Sequence, residues 1–227
     1  MTRRLTDPLR EAGLAVLRFD PRDSGLSGDG GQDYTLSTMA DDVITVLDDA
    51  GVDRVHAIAL SMGGLMLVDL LTRPGSRIAS AAFLSAMSPD PDAGFGDDFF
   101  GDAEDDVVEA TLRAMGAPTD ADRVWVHDEV ARSEQRAPAR PEVGQRHQDA
   151  ALRFGWPESE RLADITVPTL VIHGTADRVL PLRHAQALEQ GITGAELHEV
   201  EAMGHLPGPA GWDLIAELVV AHCTAVS

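Results

Sequence analysis

Residues 55–71, VHAIALSMGGLMLVDLL, constrain this chain most, because an apolar run, a turn of small residues and a second apolar run follow one another without a break. A buried strand passing through a tight turn into a buried helix satisfies that pattern. Short apolar runs recur at residues 14–19, 78–84, 169–173 and 196–200, separated by longer amphipathic segments. Such alternation predicts parallel strands joined by crossover helices, an α/β class. Residues 37–50 put Met39, Val43, Val46 and Leu47 on one helical face, leave Asp41, Asp42, Asp48 and Asp49 to solvent, and stop at Gly51. Further helices are expected over 62–71, stopped by Pro74 and Gly75, and over 215–223.

Residues 88–164 break this rhythm with a Gly/Asp-rich opening, helical patterns at 107–115 and 124–132, and a Pro/Arg-rich stretch at 137–141. They read as an insertion whose start is a flexible loop, set into a core made of residues 1–87 and 165–227. Its aromatic residues, Phe95, Phe99, Phe100, Trp125, Phe154 and Trp156, either line an apolar pocket or pack helices.

Ser61 stands at the turn, with small residues two before and two after it, Ala59 and Gly63. This is G-x-S-x-G with alanine in the first glycine position. A serine hydroxyl needs a neighbouring base to become nucleophilic, and the Met62 N–H at the start of the following helix is a candidate oxyanion donor. Asp177 lies in a turn after the strand pattern of VPTLVIHGTADRVLP, and His205 lies in the glycine-flanked loop of HEVEAMGHLPGP. Taken singly, each has a plainer use: a serine caps a helix, an aspartate closes a turn, a histidine sits on a surface. Taken together, Ser61, Asp177 and His205 are candidates for a nucleophile, an orienting acid and a base. His173 beside Asp177 hints at metal ligation, but without H-E-x-x-H or a tight Cys/His cluster no metal site is predicted.

Composition removes other chemistries. All 18 basic residues are arginine, so no lysine exists for a Walker loop, a Schiff base or pyridoxal phosphate. A net charge of -20 disfavours nucleic acid and anionic membrane surfaces as partners. Cys223 is the only cysteine, which leaves no internal disulfide, and no stretch approaches a membrane span. A soluble, cytoplasmic protein without a cofactor is expected.

The segments ALSMGG, HGTADRVLP and EAMGH, with FDPRDSGLSG upstream, resemble the α/β-hydrolase superfamily over the whole chain. LREAGLAVLRFDPRDSGLSG followed by VITVLDDAGVDRVHAIALSMGG is similar to the aclacinomycin methylesterase type of actinobacterial esterases. The resemblance implies an α/β-hydrolase fold with a mostly parallel sheet, residues 88–164 as its cap, and hydrolysis of a small-molecule ester or lactone through an acyl-serine on Ser61. Asp177, His205 and the Met62 N–H take the matching roles. Serine at position 61 argues against haloalkane dehalogenase and epoxide hydrolase chemistry, while perhydrolases and carbon–carbon bond hydrolases share the triad and stay open. The family pattern also has strands before residue 14, the third ending in a His-Gly loop with a second oxyanion donor, and these are not in the chain. Two ways of closing the sheet are therefore expected: the run at 14–19 pairs with that at 55–60, or a second copy completes the edge as a homodimer. The rival expectation is a truncated or degenerate, non-catalytic hydrolase-like protein acting as a binding or dimerising module.

Overall fold

The computed structural model describes residues 2–28, 30–31, 34–99, 106–138, 140–153 and 161–226. Helices α1 (Arg3–Glu11) and α2 (Leu36–Asp49) precede β1 (Val55–Leu60), α3 (Gly63–Thr72) and β2 (Ile78–Leu84). Then come α4 (Val107–Ala114), α5 (Asp120–Arg136), α6 (Pro141–Leu152), β3 (Thr169–Gly174), α7 (Arg183–Gly191), β4 (Glu196–Val200) and α8 (Pro209–Ala225). The four strands pair in chain order, all parallel.

Side chains alternate across this sheet with the strand period of two. Ala81, Phe83 and Val171 face Leu67, Val68 and Leu71 of α3 and Ala185 and Leu188 of α7. Ala82, Leu84, Leu170 and Ile172 face Leu5 and Leu9 of α1 and Trp212, Ile215 and Val219 of α8. Helices cover both faces, so the central strands β2 and β3 are buried at every position, while the edge strand β4, ELHEV, leaves Glu196 and Glu199 exposed. Full burial of Phe83, Ile172 and Ile215 contributes roughly 2 kcal/mol each.

The expected helices form with small shifts of their ends. Thr35 caps α2, accepting from the Thr38 N–H while the Thr38 hydroxyl accepts from the Thr35 N–H. Asp42, expected in solvent, instead receives two hydrogen bonds from Arg22, at 2.6 and 2.7 Å. The Pro/Arg-rich stretch opens a helix, α6, with Pro141 in its first turn, where a missing N–H costs nothing. The opening of the insertion is tied down over 94–98: the Gly96 N–H donates to the Val179 carbonyl and the Asp98 N–H to that of Arg178, both at 3.0 Å. Phe100, Phe154 and Trp156 lie outside the described residues.

One strand expectation is corrected. Residues 14–19 form no strand, because no neighbouring strand takes up their hydrogen bonds. Leu14 and Val16 lean on the α1–α8 layer, while Leu17 and Phe19 stay 48% and 37% exposed. Among the described residues β1 therefore pairs only with β2, and its other edge is open. Among those residues, too, no helix is long and apolar enough to cross a membrane.

Candidate active site

β1 ends at Leu60, and Ser61 turns the chain into α3 with φ at +54°, a left-handed conformation that a residue with a Cβ adopts only under constraint. The constraint is visible in hydrogen bonds. The Ser61 N–H donates to the Leu84 carbonyl at 3.1 Å, and its own carbonyl accepts from Gly64 and Met87 at 2.9 and 3.0 Å. A Cβ on Gly63 would meet that of Ala59 at 3.6 Å, ordinary contact, so alanine in the first small position fits. Gly64 is the stricter glycine: its Cβ would lie 2.7 Å from the Met87 carbonyl oxygen and 2.8 Å from the Ala86 Cβ. Met62 opens α3, and among the described residues its N–H has no acceptor.

Asp177 follows β3 in a turn that its own carboxylate closes. Oδ1 accepts from the N–H groups of Val179 and Leu180, at 2.9 and 2.8 Å. His205 follows β4 in a loop held from two sides. The Gly204 and Leu206 N–H groups donate to the carbonyls of Met115 and Ala114 at the end of α4, at 3.2 and 3.0 Å. From the other side the Ala176 N–H donates to the Met203 carbonyl at 3.0 Å. A Cβ on Gly174 would overlap the Met203 carbonyl, and one on Gly204 would overlap Ala114 and Met115, so both positions need glycine for close backbone approach.

These three loops bring Ser61, Asp177 and His205 together. His205 Nδ1 lies 2.9 Å from Asp177 Oδ2, and its Nε2 lies 2.9 Å from Ser61 Oγ. A carboxylate only accepts, so Nδ1 carries the proton and Nε2 accepts from the serine hydroxyl. The Asp177 side chain is fully buried and that of His205 is 8% exposed, which keeps water from competing for these bonds. Met62 and, beyond it, Met66, Met87, Phe95, Phe99 and Val179 form one apolar cluster beside the serine. The rings of Phe95 and Phe99 stack with centroids 3.9 Å apart.

Two buried histidines flank this set. His184 Nδ1 accepts from the Ser88 N–H at 3.2 Å and its Nε2–H donates to the Gly94 carbonyl at 2.8 Å; burial pushes its pKa down to about 4. His173 donates from Nε2 to the Leu180 carbonyl at 2.9 Å, and burial lowers its pKa as well. Among the described residues no group of three or more His, Cys, Asp or Glu could hold a metal ion. Neither the close approaches at Gly64, Gly174 and Gly204 nor the hold of α4 on the His205 loop is signalled in the sequence beyond the presence of glycine.

The model of the alpha/beta hydrolase family matches residues 2–218. The chain belongs to the alpha/beta hydrolase family. It is 30% identical over 215 residues to RutD of Variovorax paradoxus (strain S110), a protein named for carbamate hydrolysis, covering 87% of this chain and 76% of that one. It is 24% identical over 255 residues to rhodomycin D methylesterase DauP of Streptomyces sp. (strain C5), covering 96% and 84%. Among solved structures it is similar to Est816, described as an N-acyl homoserine lactone degrading enzyme, with TM-score 0.66, 27% identity and coverage of 89% and 80%. This alpha/beta hydrolase thus shares its fold with enzymes named for work on different acyl compounds.

Proposed function

We propose that this alpha/beta hydrolase cleaves a carboxylic ester or lactone through an acyl-enzyme on Ser61. The observation that carries the reading is the continuous pair of 2.9 Å hydrogen bonds from Ser61 Oγ through His205 to Asp177. As Ser61 Oγ attacks the carbonyl carbon, its proton passes to His205 Nε2, and Asp177 holds the resulting imidazolium. The carbonyl oxygen becomes an oxyanion against the Met62 N–H and the positive end of α3. Collapse breaks the bond to the alkoxy oxygen, which takes the proton from His205. Water then attacks the acyl-serine with His205 as base, releasing the acid and restoring Ser61.

Residues 88–164 serve as the cap in this reading, since α4 holds the His205 loop and residues 94–98 lie against the Asp177 turn. The apolar cluster around Met62 favours an apolar acyl or alcohol group. Similarity to DauP and Est816 supports ester and lactone substrates respectively.

The test is hydrolysis of a short-chain p-nitrophenyl ester by the folded chain beside Ser61→Ala. Turnover that falls by about 10³-fold or more in the variant supports the reading; equal rates reject it. A second reading, a non-catalytic dimerising module, draws on the open edge of β1. It predicts equal background rates in both proteins together with a dimer in sedimentation.

A further inference from the structure

Residues 88–99 form a strap that carries Phe95 and Phe99 into the cluster of Met62. Much of its hold on the core is hydrogen bonding. His184, in the first turn of α7, reaches it twice: Nδ1 accepts from the Ser88 N–H at 3.2 Å, with Ser88 Oγ at 3.0 Å, and Nε2–H donates to the Gly94 carbonyl at 2.8 Å. Both His184 and Ser88 are buried. Further bonds run from Arg183 Nε to the Ala93 carbonyl, at 3.0 Å, and from the Gly96 and Asp98 N–H groups to the Val179 and Arg178 carbonyls. The Phe99 N–H donates to the Gly96 carbonyl at 3.2 Å, and across this turn the two phenyl rings stack. The Phe95 ring also lies 6.3 Å from that of His184. Phe95, Phe99, Met62 and Ser61 are each half-buried, so the accessible part of the cluster lies beside the serine hydroxyl.

We infer that His184 is a positioning residue for substrate binding: by pinning residues 88 and 94 to α7 it fixes the Phe95–Phe99 pair as the wall that receives the apolar acyl or alcohol chain at Ser61. The inference rests on the reading of Ser61 as the nucleophile. The tautomer follows from the surroundings. The Gly94 carbonyl only accepts, so Nε2 carries the proton, and the Nδ1 lone pair is left for Ser88. A neutral ring meets both demands, and burial, which pushes its pKa down to about 4, keeps it neutral at pH 7. A side chain without these two atoms leaves the buried Ser88 N–H without its acceptor and the Gly94 carbonyl without its donor. Bonds left unmade in a buried place are costly, so residues 88–94 would draw away from α7 toward water. Phe95 follows Gly94 directly and would move with it. The reacting groups are held elsewhere, by the Asp177 turn, the end of α4 and the turn after β1. The loss therefore falls on binding of the apolar chain rather than on the chemical step.

The experiment compares wild type with His184→Phe, which keeps a ring without either nitrogen, His184→Asn, which keeps an acceptor near the Nδ1 position, and His184→Gln, which keeps a donor near the Nε2 position. p-Nitrophenyl acetate and hexanoate vary the acyl chain, and ethyl and hexyl acetate vary the alcohol. In the series whose chain meets the wall, His184→Phe is expected to raise KM for the long ester about tenfold, to change kcat by less than about threefold, and to leave KM for the short ester nearly in place. His184→Asn and His184→Gln should fall between, and Phe95→Ala should show the same selective loss. KM values that move together for short and long esters in both series, or a fall in kcat alone, overturn the inference. A lower Tm with an unchanged KM ratio, the mark of a residue that only braces the fold, overturns it as well. If wild type has no Ser61-dependent turnover, the reading of the site fails, and amide hydrogen exchange decides the inference. The Gly96 and Asp98 N–H groups should exchange about tenfold faster in His184→Phe, while the Met87 N–H, bonded to the Ser61 carbonyl, keeps its rate; unchanged rates at 96 and 98 overturn it. Where His184→Phe does not fold, the same KM ratios and exchange rates in His184→Asn and His184→Gln decide.

Discussion

At the residue scale, Asp177 shows how one side chain can fix the proton of another. Both Oδ1 contacts are backbone N–H donors, so an asparagine at 177 has to keep its carbonyl there and turn its amide toward His205. Two donors would then face each other, and the His205 proton would move to Nε2, where it cannot accept from Ser61. Asp177→Asn should therefore fold normally yet lose about 10³–10⁴ in kcat, read in the p-nitrophenyl ester assay beside circular dichroism. His184 carries a different consequence. Its folded pKa of about 4 lies below the ordinary 6.5, so between these values the unfolded chain binds more protons. The contribution is fully present above about pH 6.5 and is lost as pH falls toward 4, on the order of 3 kcal/mol from this group. Urea midpoints measured from pH 7 to pH 4 should fall across that window, and less steeply in His184→Gln.

At the scale of elements, the site depends on how closely three strand ends are followed by other backbone. α3 approaches the loop after β2 so tightly that Gly64 has no room for a methyl group. Gly64→Ala should cost about 1–3 kcal/mol through overpacking and, by shifting the start of α3, lower kcat; thermal melts and the ester assay read the two effects separately. Gly63→Ala, with only ordinary contact to Ala59, should be close to neutral in the melt. Most elements were legible from periodicity: α2 from Met39, Val43 and Leu47, β2 from its continuous apolar run, α3 from the halt at Pro74 and Gly75. α6 was not, because Pro141 reads as a break until it is seen to occupy a first helical turn. Residues 14–19 misled in the opposite sense, since a strand pattern becomes a strand only beside a partner.

For the whole molecule, a net charge of -20 sets up self-repulsion that the arginine pairs only partly offset, most of them lying at the surface. Raising salt from about 0.02 to 0.3 M shortens the screening length several-fold, so Tm should rise by a few degrees; a falling Tm would assign more stability to the ion pairs than to the repulsion. Helices α5 and α6 add a restraint of their own: Arg136 of α5 holds Asp20 with two hydrogen bonds, at 2.6 and 3.0 Å, and His147 of α6 holds the Arg22 carbonyl at 2.9 Å. These links join parts of the chain more than a hundred residues apart. The sequence by itself determined the class, most of the helices and strands, and the three residue types in their order, because periodicity and turn chemistry are local. Tertiary structure alone decided that, among the described residues, β1 keeps an open edge and that α4 grips the His205 loop. Hydrogen bonds and backbone contacts between distant segments exist only once the sheet has set its strand ends side by side.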